Sequence, residues 1–65
     1  MPNFYSQFIE QLKQLRNMIK PSDKDMFEDE IKGIVEKVKS DDRLSAEERN
    51  EALIICYEIL KKFEA

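Results

Sequence analysis

The sequence predicts an all-α fold: a small antiparallel three-helix bundle of up-down-up order, forming a single domain over residues 1–65. Three observations carry this expectation. Apolar residues recur three and four apart in three runs: Tyr5, Phe8, Leu12, Leu15 and Ile19, then Phe27, Ile31, Ile34 and Val38, then Leu53, Cys56, Leu60 and Phe63. That spacing puts each run on one side of a helix. The runs are separated by Pro21 and by a short connector at residues 40–44, and connections this brief favour antiparallel neighbours. The tetrapeptide Ser45-Ala46-Glu47-Glu48 matches a capping box, in which serine and glutamate satisfy each other's backbone N–H groups.

Helix one is expected over residues 3–19, opened by Pro2 and Asn3. Phe4, Tyr5, Phe8, Ile9, Leu12, Leu15, Met18 and Ile19 cover about half of its helical wheel, with Gln7, Glu10, Lys13, Gln14 and Asn17 opposite. Lys20 suits the negative end of the dipole, and Pro21 stops the helix by disfavouring helical geometry at the residue before it.

Helix two is expected over 23–39, with Ser22 as N-cap and Asp23 and Asp25 in its first turn. Its stripe of Phe27, Ile31, Ile34, Val35 and Val38 spans only about 100°, and Met26 lies off it. Gly33 costs about 1 kcal/mol relative to alanine in a helix interior. It reads either as a tolerated surface glycine or as a place where another helix comes close.

Helix three, expected over 46–63, differs from the other two. Its apolar residues spread over about 260° of the wheel, more than the two neighbours in a bundle of three can cover. Ile54, Ile55 and Tyr57 are in excess. With Glu58 and Lys61 they form the candidate protein interface, and dimerisation is one way to complete the fold. A chain of this length buries a low fraction of its surface, which also favours self-association.

The chemistry of catalysis is missing. No histidine is present, which removes the commonest general base and metal ligand. One glycine rules out a phosphate-cradling loop, and one cysteine without histidine cannot build a zinc site. Residues 40–51 lack the glycine and ligand alternation of an EF-hand, so Glu28-Asp29-Glu30, Asp41-Asp42 and Glu47-Glu48-Glu51 read as solvated acids. Cys56 reads as a small core hydrophobe. Tyr5 and Tyr57 sit at stripe edges, ordinary for a ring with a wet hydroxyl yet also typical of interface hot spots. No enzyme activity, catalytic residue, cofactor or metal is expected.

Fourteen acidic and eleven basic side chains give a net charge of −3 with the signs interspersed, which disfavours nucleic acid as a partner. A basic group of Lys13, Arg16, Lys20 and Lys24 near the first connector keeps nucleic-acid binding as a minor alternative. Mimicry of a phosphate backbone is weaker still, since Lys32, Lys37 and Lys39 interrupt the acidic surface. The longest apolar run, Ala52 to Tyr57, is far short of the roughly 18 residues of a membrane span. No secretory leader is expected, and the single cysteine points to a reducing, cytoplasmic setting. The function expected is that of a helical protein-interaction module (regulator, inhibitor or adaptor) binding a protein through helix three. The alternative is a structural homodimer.

Overall fold

Spacing of three and four becomes three α-helices in the computed structural model of the protein, which describes residues 4–64. They are α1 (Phe4–Met18), α2 (Lys24–Ser40) and α3 (Ala46–Lys62), and the described residues contain no strand. Pro2 and Asn3, expected to open the first helix, lie outside the described residues. No helix among those described is long and apolar enough to cross a membrane.

Pro21 shapes the first connection. Lys20 before it is extended, at φ −113° and ψ 159°, as the proline ring requires. A single 3-10 turn, Pro21–Asp23, then leads into α2. The cap differs from the one expected from sequence. Ser22 is exposed within the turn, whereas the Asp23 carboxylate accepts the Lys20 backbone N–H at 2.9 Å. The physical reason is that proline favours the first position of a helical turn, so Lys20 caps the 3-10 turn and the cap position of α2 falls on Asp23 rather than Ser22.

The second connection is held by side chains. Asp41 accepts the Arg43 backbone N–H at 2.9 Å and the Arg43 guanidinium at 3.0 and 2.8 Å. These bonds hold the Asp41 carboxyl down at about 2. Arg49, one turn into α3, donates to the Asp41 carbonyl at 2.8 Å. Leu44, expected in a polar connector, is buried in the core instead. The capping box forms as expected: Glu48 N–H donates to Ser45 Oγ at 3.1 Å, and Ser45 N–H to Glu48 Oε1 at 2.9 Å.

The three helices share one core, and α3 organises it. It packs against both α1 and α2, whereas those two approach each other much less closely. Side-chain size explains the difference. Ala52 and Cys56, one turn apart on α3 and fully buried, allow close helix approach. Phe8 on α1 and Ile34 on α2 are bulky, only partly buried, and line a common cleft. Ile31 and Ile59 are completely enclosed, and burying each contributes about 1.5–3 kcal/mol.

Polar contacts set the direction of the helices. Tyr5 near the start of α1 reaches Glu51 near the start of α3, and Arg16 near the end of α1 meets Glu58 near the end of α3. The two helices are therefore parallel, with α2 running the other way, in the up-down-up order. Lys62 adds a cap that sequence reading missed. Its Nζ donates to the carbonyl of Arg16 and, at 3.2 Å, to that of Ile19, satisfying the carbonyl end of α1 from a different helix.

Gly33 is exposed on the outer face of α2, and nothing lies within 4 Å of where a Cβ would stand. Among the described residues no other helix approaches it, so its flexibility is a cost without a packing return. Gly33→Ala should therefore raise the unfolding free energy by roughly 0.5–1 kcal/mol. Urea titration followed by circular dichroism checks this. A lower midpoint would show that the glycine serves a structural need.

Candidate interaction surface

Buried residues mark the inner side of α3: Ala52, Ile55, Cys56 and Ile59, continued by Phe63 beyond the helix end. The opposite side carries Ile54 at 58% exposure and Tyr57 at 47%. They stand three positions apart, so the isoleucine and the phenol are neighbours on one face. Glu58 and Lys61, both exposed, continue that face toward the helix end. Four of the five candidate residues are thus brought together.

Ile55 is the correction. It is only 2% exposed and belongs to the core rather than to the outer face. Glu51, Glu58 and Lys62 each reach α1, through Tyr5, Arg16 and the Arg16 and Ile19 carbonyls. Their spacing of seven and four residues defines one stripe of α3, and Ile55 sits inside it. α1 therefore covers a flank that a count of neighbours had left open. The surplus apolar surface shrinks to Ile54 and Tyr57.

Glu58 is not a free acid. Its carboxylate accepts from Arg16 at 3.1 Å across the α1–α3 seam, an exposed pair contributing less than about 1 kcal/mol. The pair also draws Arg16 out of the expected basic group, and Lys24 lies 4.0 Å from Glu28. Tyr5 is likewise tied inward, because its hydroxyl donates to Glu51 Oε1 at 3.0 Å and to the Glu48 carbonyl at 3.4 Å. Burial, and then the neighbouring Glu51, push its phenol up to about 12. Tyr5 is a strut, whereas Tyr57 remains available.

A second surface was not anticipated. Phe4, Phe8, Ile34, Val38, Leu44 and Arg43 are among the residues lining a cleft of about 240 Å³ between the start of α1 and the end of α2. The Phe4 and Phe8 rings stack with centroids 6.2 Å apart, and the Arg43 guanidinium lies 4.9 Å from the Phe4 centroid. Phe4, 60% exposed, thus already has an aromatic and a cationic neighbour. The Phe4–Phe8 spacing was visible in sequence. The placement of Arg43 was not, because it depends on the Asp41 turn.

Among the described residues, no group of three or more His, Cys, Asp or Glu is placed to hold a metal ion. Cys56 is fully buried, and burial pushes its thiol up to about 11. No protein-family model, curated protein or solved structure matches the chain.

The thiol makes stability depend on alkaline pH. Its folded pKa lies above the unfolded value of 9.0, so its contribution is complete below pH 9 and is lost as pH rises toward 11. The unfolding free energy should fall by about 1 kcal/mol between pH 8 and pH 10. Cys56→Ala should be less stable overall but lack this part of the slope. Denaturant titrations at the two pH values check it, and equal slopes in both proteins would contradict it.

Proposed function

We propose that this chain is a small helical protein-interaction module, a regulator, inhibitor or adaptor, that binds a protein through the outer face of α3. One observation carries the reading. Ile54 and Tyr57 stay 58% and 47% exposed side by side on a helix whose other large apolar residues are buried or half-buried. A single exposed isoleucine is common on protein surfaces and means little. An isoleucine beside a tyrosine, followed on the same helical face by a carboxylate and an ammonium, has the composition of an interface centre.

Magnitudes limit what these two residues do alone. Burying them contributes about 1.5–3 kcal/mol each, while association costs roughly 4–15 kcal/mol in lost freedom. The apolar pair supplies an anchor, and the flanking polar groups must be matched by the partner. Helix-on-helix packing provides such a match, because it presents residues to residues at a fixed spacing.

The test uses a photo-crosslinking phenylalanine derivative at position 57, with Glu36 on the outer face of α2 as the control position. Irradiation in cells should give an adduct from position 57 that is absent from position 36, and Ile54→Asp should abolish it. The Ile54→Asp protein should remain folded, with an unfolding free energy within about 0.5 kcal/mol of the parent, because the residue is exposed. An equal adduct pattern from both positions would overturn the reading.

A further inference from the structure

We infer that the partner fitting this face is a second copy of the same chain, docked antiparallel through α3 with Ile54 on the two-fold axis. The inference rests on the reading of the outer face of α3 as a binding surface, and it names the occupant. At about 100° per residue, Glu47, Asn50, Ile54, Tyr57, Glu58 and Lys61 fall within one sector of the helix. All six are exposed. Glu47, Ile54 and Lys61 recur every seven residues, the repeat of a helix-pairing seam.

Charge order chooses both the partner and the direction. Glu47 and Lys61 stand seven residues on either side of Ile54. Paired in parallel, the face would put Glu47 on the partner's Glu47 and Lys61 on the partner's Lys61. Paired antiparallel about Ile54, each Glu47 meets the partner's Lys61, and this happens twice. The same register sets Asn50 beside the partner's Tyr57 on one side of the seam. On the other side of the seam Glu51 comes near the partner's Glu58, two carboxylates already held by Tyr5 and Arg16 of their own chain. Among the described residues, neither Glu47 nor Lys61 takes part in an ion pair of its own chain. The helix dipole favours an acid at the start of α3 and a base at its end. It does not require them on the same face as Ile54.

Size predicts the strength. A helix of 17 residues is about 25 Å long, so a single helix pair buries less than the roughly 800 Å² per partner of a standard stable interface. The dimer is therefore weak, and its exposed charge pairs are screened by salt.

Sedimentation equilibrium of the full chain tests this, at concentrations from about 20 µM to about 1 mM and at low and high ionic strength. The average mass should rise from 7.8 kDa toward twice that value, less so at high salt. Glu47→Lys and Lys61→Glu alone should each weaken association about tenfold or more, and the double reversal should restore it to within about threefold of the parent. Ile54→Asp should be monomeric with an unchanged far-ultraviolet spectrum. A parent that stays at 7.8 kDa throughout overturns the proposal, as does a double reversal no stronger than the single ones. A dimer that survives Ile54→Asp overturns it too. A monomeric parent whose position 57 still crosslinks specifically to a different protein sinks self-pairing alone. A monomeric parent without such an adduct sinks the surface reading with it.

Discussion

The close approach of α3 to both other helices is the constraint on which this fold depends. Ala52 and Cys56 are small, stand one turn apart and are fully buried, so α3 can sit deep between its neighbours. Larger side chains at those positions would push the helices apart and open the core around Ile31 and Ile59. With α3 placed centrally, α1 and α2 touch it from two sides and leave its outer face in solvent. The exposed pair of Ile54 and Tyr57 is a geometric consequence of that arrangement.

Polar side chains then lock what apolar packing allows. Tyr5, Arg16 and Lys62 tie α1 to α3 along its length, each bridging residues more than forty positions apart in sequence. Any one of these contacts is worth little where it is exposed. Their combined effect is directional, because they are satisfied together only when α1 and α3 run parallel. Asp41, Arg43 and Arg49 hold the second connector, Arg43 through the Asp41 carboxylate and Arg49 through the Asp41 and Leu44 carbonyls.

Local signals were read well because their physics is local. Helix positions followed from apolar spacing, and the capping box at Ser45 formed as its four residues imply. Where the reading missed, a longer-range contact was responsible. Ser22 lost the cap because Pro21 reset the start of the turn. Ile55 went into the core because α1 leans onto the flank marked by Glu51, Glu58 and Lys62. The cleft beside Phe4 depends on Arg43, whose position is set by a turn and not by helical period.

By itself, the sequence determined that there would be three amphipathic helices, where they start and stop to within a residue or two, and that the third has more apolar surface than its share. Those properties depend on dihedral preferences and on side chains within a turn or two of each other. Only the tertiary structure decided which of the surplus residues stay in solvent. Burial depends on where a neighbouring helix lies across the bundle, and that position is set by side-chain volumes and polar contacts contributed from all three helices at once.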